Sequence, residues 1–169
     1  GLPAGPPEWP TLVAEGDAVL GAPHVAGDGF YVVASRAGVD RVVRYDLSGD
    51  GPVGVALPEV SGVIGVDTHP DSGAAIAIVT GFGEPPGVWC FGNVEPDRVA
   101  ATRVHPLIDP ALVPDLAVSH VEYPSKDGTA VGMFVIHRAD VTPDESTATI
   151  LNGYGGFAIA ETPIWSPLI

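Results

Sequence analysis

The chain has 169 residues, with 21 acidic against 7 basic side chains and a formal charge of −14. A surface this acidic is unsuited to a nucleic-acid backbone or an anionic bilayer, because both are bound by Lys and Arg that displace counterions. Hydrophobic content of 46% excludes wholesale disorder, while 22 glycines and 18 prolines imply frequent chain reversal.

Residues 1–10, dominated by Pro and Gly, read as a connector. Short β-rich segments follow: Val19–His24, Phe30–Ser35, Arg41–Leu47 and Val53–Leu57, then Val63–Thr68, Ala74–Thr80, Val88–Phe91 and Val99–Val104. The turns between them carry suitable residues: Gly27-Asp28-Gly29, Ser48-Gly49-Asp50-Gly51 and Asp71-Ser72-Gly73. Tyr45 maps onto Cys90, and Phe30–Ser35 onto 75–80, at a common offset of 90 − 45 = 45 positions. Four strands per unit at that period predict two consecutive β-propeller blades over 1–105, with a β-sandwich as the competing arrangement. Cys90, the sole cysteine, has no partner for an intrachain disulfide and reads as an inert core thiol.

From His105 to Ser119 the pattern breaks. Pro106, Pro110 and Pro114 deny this stretch a long helix or a central strand, so 106–117 is taken as a linker. Beyond it, Val118–Tyr123 and Ala130–His137 form a predicted hairpin about Lys126-Asp127-Gly128, with Gly128 supplying a positive φ. Arg138–Ser146 is a polar loop, and the apolar Thr147–Leu151 is predicted as a third strand, buried on both faces. That strand stops at Asn152. The loop Asn152-Gly153-Tyr154-Gly155-Gly156-Phe157 must then turn sharply, and its glycines predict close backbone approach to a neighbour. Loops leaving strand ends in this way are where α/β enzymes place their chemistry. Pro163 and Pro167 mark the remainder as irregular.

Recognisable catalytic motifs are few. There is no Gly-x-Ser-x-Gly elbow, no His-Glu-x-x-His, no aspartate-rich calcium loop and no phosphate-cradling Gly-x-x-x-x-Gly-Lys. His24, His69, His105, His120 and His137 share no ligand or triad spacing and read as strand or turn residues. No metal, nucleotide or other cofactor is expected. No signal-peptide pattern or run of 18 apolar residues is present, which makes a cytoplasmic location the expectation.

Asn152-Gly153-Tyr154-Gly155-Gly156-Phe157 resembles the prolyl oligopeptidase signature Tyr-Gly-Tyr-Gly-Gly-Phe, with Asn152 where that family usually has tyrosine. Tyr123-Pro124-Ser125-Lys126-Asp127-Gly128-Thr129, followed by Met133–His137, resembles the hairpin that opens the family's hydrolase domain, and the spacing agrees. Gly81-Phe82 with Pro85-Pro86-Gly87-Val88-Trp89 is similar to its last blade.

The resemblance implies a mostly β fold: two four-stranded propeller blades, then the first strands of an α/β-hydrolase domain over 118–169. It implies a serine endopeptidase that cuts short peptides after proline, a monomer needing no cofactor. It also places the nucleophile, acid and histidine outside these residues, so the chain alone should be inactive. By the same resemblance Tyr154 is the catalytic residue, a phenol donor to the oxyanion, and Phe157 lines the pocket for the substrate's proline ring. Two other readings remain open: an oligopeptidase cutting after basic residues, and a non-catalytic propeller that binds partners.

Overall fold

The computed structural model describes residues 10–95, 97–157 and 160–167. The predicted connector at 1–10 therefore lies, apart from Pro10, outside the described residues. Eleven strands and a single 3-10 turn at Pro110–Leu112 make up the regular structure, with no α-helix among the described residues.

The first sheet holds β1 (Val19–Leu20), β2 (His24–Ala26), β3 (Gly29–Arg36), β4 (Val39–Asp46) and β5 (Val53–Gly54). The single strand predicted at Val19–His24 is thus two. Both halves pair antiparallel with β3, but the register slips by one residue between Leu20↔Ala34 and His24↔Tyr31. Pro23 lies in the gap; with no N–H to donate, it suits an interruption of the ladder.

The second sheet is an antiparallel meander of β6 (Gly62–Thr68), β7 (Ala75–Thr80), β8 (Gly87–Val94) and β9 (Val99–Pro106). A separate hairpin joins β10 (Leu116–Pro124) to β11 (Ala130–Arg138), with Val118 opposite Ile136 and His120 opposite Phe134. Gly128 has φ 87° in its turn, as expected, and the turn residues Gly27, Gly49, Gly51 and Gly73 also take positive φ.

One core joins the two sheets. Ala26, Tyr31 and Val42 from the first, with Val55 just beyond β5, pack against Ala75, Ala77, Val79, Phe91 and Val99 from the second. The Tyr31 and Phe91 rings meet edge to face at 5.2 Å. Strand alternation explains the choice, because the paired residues Ala75↔Phe91 and Ala77↔Trp89 share one face of the second sheet. The opposite face carries Ile76 paired with Cys90, and Ile64, Ile76 and Val104 are exposed. Cys90 is accordingly only partly buried and stands outside the core, contrary to the sequence expectation. The alternation that sends Phe91 inward sends its neighbour to the far face.

Hydrogen bonds stitch the sheets together at both ends. At one end Thr68 Oγ1 donates to the Val25 carbonyl at 2.7 Å, and the Gly27 N–H donates to Pro70 at 2.7 Å. At the other, buried Asp40 on β4 accepts from Ser35 Oγ and from the Val63 N–H at 2.9 Å. The Asp40 N–H donates in turn to Ser61 at 3.0 Å.

The third strand predicted at Thr147–Leu151 does not form. The segment is irregular, and Ile150 and Leu151 are 95% and 85% exposed. A strand buried on both faces needs ladder partners and two covering layers, and the isolated β10–β11 hairpin supplies neither. Local bonds hold the approach instead: Asp144 accepts from the Ser146 N–H and hydroxyl at 2.8 and 2.7 Å. These bonds hold the Asp144 carboxyl below its usual range, the Ser146 side chain contributing most.

Candidate functional site

Tyr154 and Phe157 sit in the irregular stretch after Leu151. Tyr154 is 50% exposed, so its ring is not packed into the core. The ring folds back along its own loop: a Cβ added to Gly156 would lie 3.2 Å from the Tyr154 hydroxyl. Gly156 therefore leaves room for the phenol. Gly153 and Gly155 have open space around them, so the close approach predicted for these two glycines is absent among the described residues. The left-handed residue of the turn is Phe157, at φ 57°, rather than a glycine. That conformation costs a non-glycine residue free energy, of order 1–3 kcal/mol. It leaves the Phe157 ring 91% exposed.

On either side of that loop the chain returns to the sheets. Upstream, the hairpin leans on the loop between β7 and β8 through Phe134, which meets Phe82 edge to face at 5.1 Å and stacks on His120 at 4.6 Å. Downstream, Glu161–Trp165 crosses the end of both sheets. Pro163 is fully buried there, and the Trp165 N–H donates to the hydroxyl of buried Thr80 at 3.2 Å. Gly62 is required at this crossing, since a Cβ would fall 2.6 Å from the Pro163 carbonyl oxygen. The sequence marked Pro163 as a loop residue and missed its burial. A proline in irregular chain has no periodic pattern to show which side is covered.

The five histidines lie apart: His24 in β2, His69 in the turn after β6, His105 in β9, His120 in β10 and His137 in β11. No group of three or more His, Cys, Asp or Glu among the described residues is arranged to hold a metal. Two surface hollows are lined by residues other than Tyr154. One, of about 310 Å³, is lined by Asp67–Pro70 and Ala74–Ile76; the other, of about 360 Å³, by Pro114, Asp115, Arg138 and Asp140. Among the described residues no helix is long and apolar enough to cross a membrane.

No protein-family model matches the chain. Known proteins do. The dual function macrocyclase-peptidase POPB of Amanita bisporigera is 29% identical over 172 residues, covering 99% of this chain and 23% of the relative. The prolyl endopeptidase of Elizabethkingia meningoseptica is 26% identical over 165 residues, covering 94% of this chain and 22% of the relative.

Among solved structures, a chain from a study of two prolyl endopeptidases and their inter-domain dynamics superposes with a TM-score of 0.75 and 32% identity. It covers 93% of this chain and 22% of its own length. Prolyl oligopeptidase B of Galerina marginata, bound to a 35mer hydrolysis and macrocyclisation substrate, gives 0.71 and 26%, over 91% of this chain and 22% of that one. The chain thus spans less than a quarter of the length of the curated relatives it matches. Agreement in sequence and in backbone over nearly all of its residues makes this chain a member of the prolyl oligopeptidase family.

Proposed function

We propose that these residues are part of a serine endopeptidase that hydrolyses short peptides on the carboxyl side of proline. The two sheets are consecutive propeller blades, and the chain from 118 onward opens the α/β-hydrolase domain. The observation that carries the reading is the backbone match at TM-score 0.75 and 32% identity to a prolyl endopeptidase, over 93% of this chain. The order of the second sheet supports the blade assignment, a four-stranded meander packed face to face on its neighbour. The relatives' names favour the proline-directed branch over cleavage after basic residues.

In this reading Tyr154 donates its hydroxyl to the oxygen that gains negative charge as the acyl carbon becomes tetrahedral. A donor fixed in advance at that point stabilises the transition state more than the bound peptide, so its loss lowers turnover more than affinity. Phe157 offers its exposed face to the substrate's proline ring. The nucleophile and base are supplied from outside these 169 residues, which hold no Gly-x-Ser-x-Gly elbow.

Two measurements test this. The purified chain should show no proline-specific hydrolysis, and activity blocked by a serine-reactive phosphonate would refute the division of labour. In the longer enzyme, Tyr154→Phe should lower kcat by ~10²–10³ with KM little changed. Unchanged kcat would remove Tyr154 from the mechanism.

A further inference from the structure

The stretch carrying Tyr154 is bracketed by two segments that dock on the sheets, and both meet the same residue. Gly38, in the turn between β3 and β4, has φ 78° and follows Ala37 at φ 49°. A Cβ placed on Gly38 would stand 2.9 Å from the Glu161 carbonyl oxygen and 3.2 Å from Phe134 Cε2. The first contact belongs to the downstream crossing, the second to the hairpin upstream of Tyr154. Nearby, the Asp40 carboxylate joins β4 to Val63 across the sheets, so the turn stands on a fixed base.

We infer that Gly38 is a positioning residue for Tyr154: its bare Cα lets the hairpin and the Glu161–Trp165 crossing seat together on the β3–β4 turn. The inference rests on the peptidase reading for its consequence, though not for the docking itself. Phe134, braced by Phe82 and His120, is an aromatic ring held from two sides and cannot yield freely to a new methyl group. The Glu161 oxygen is backbone, four positions from the second docking point at Trp165 and Thr80. A side chain at 38 therefore pushes on both brackets of the Tyr154 stretch at once.

Gly38→Ala adds that methyl group but also strains a left-handed residue, so it is compared with Gly128→Ala. Gly128 has φ 87° with nothing within 4 Å of its would-be Cβ, which gives the strain without the collision. Amide hydrogen exchange is followed on the 169-residue chain. Gly38→Ala should speed exchange in 116–138 and 160–167 by about five- to a hundredfold, leaving β7 and β8 at wild-type rates. Gly128→Ala should loosen only its own turn. Equal effects of the two variants, or wild-type exchange in both docked segments of Gly38→Ala, would overturn the docking role.

In the longer enzyme Gly38→Ala should lower kcat several-fold with KM little altered, and Gly128→Ala should change neither. If exchange rises but kcat holds, the turn docks the segments without positioning Tyr154, and the inference fails. Failure of the peptidase reading is read separately: Tyr154→Phe would then be silent while the exchange result stands.

Discussion

Tyr31 carries a hydroxyl that is buried and lacks a hydrogen bond of normal geometry. Burial raises its pKa above the ordinary 10.0, and this outweighs the lowering influence of the nearby Arg44 guanidinium. The sign of the pH effect follows. Below pH 10 the phenol is neutral in both folded and unfolded chains; above it the unfolded chain releases its proton first. Stability is therefore fully present below the ordinary value and is lost as pH rises through the folded one. Tyr31→Phe should keep the ring contact with Phe91, hold or raise Tm at pH 7, and flatten the alkaline fall. Alkaline unfolding as steep as wild type's would show that the phenol is not responsible. Nothing in the sequence marked Tyr31 apart from the other aromatic strand residues, since alternation says which face a residue takes but not whether a partner awaits it.

The elements of the two sheets were legible because their signals are local. Short β-branched runs between Gly- and Asp-rich turns located β3, β4 and β6 to β9. What joins the elements was not legible. Asp40 is one of 21 acidic residues and nothing in the sequence sets it apart, yet it is buried and ties β4 to the start of β6. Asp40→Ala would leave the part-buried Val63 N–H without its partner. That should destabilise the chain by about 1–3 kcal/mol, with Asp40→Asn milder because it retains an acceptor. Thermal melts of both variants check this, and an unchanged Tm for Asp40→Ala would show that the bond contributes nothing net. The failed strand at 147–151 teaches the converse. Its apolar pattern states what cover the segment requires, whereas a ladder forms only where a neighbour is present.

Over the whole molecule, apolar surface is left on faces that a two-sheet body does not cover. Ile64, Ile76 and Val104 are exposed on the second sheet, and Val121, Tyr123 and Val135 are exposed on the hairpin. Exposed apolar side chains on open sheet faces promote association. Sedimentation of the isolated chain should show self-association that deepens with concentration. The double variant Ile76→Thr, Val104→Thr should weaken it while the fold is retained. A monodisperse wild-type monomer at high concentration would contradict the exposed-face account. The net charge of −14 opposes association at low ionic strength, so added salt should favour it by screening.

The sequence by itself determined where most of the strands of the two sheets lie, the turns between them, the break after the eighth predicted strand and the kinship carried by Asn152–Phe157, because each is written in neighbouring residues or in a contiguous motif. Only the tertiary structure decided which acid is buried, that Pro163 is fully buried, and that one glycine at position 38 receives the chain from both sides of Tyr154. Those facts depend on residues far apart in the chain meeting at distances of a few ångströms. Propensity and periodicity, which sum over neighbours, carry no record of such meetings.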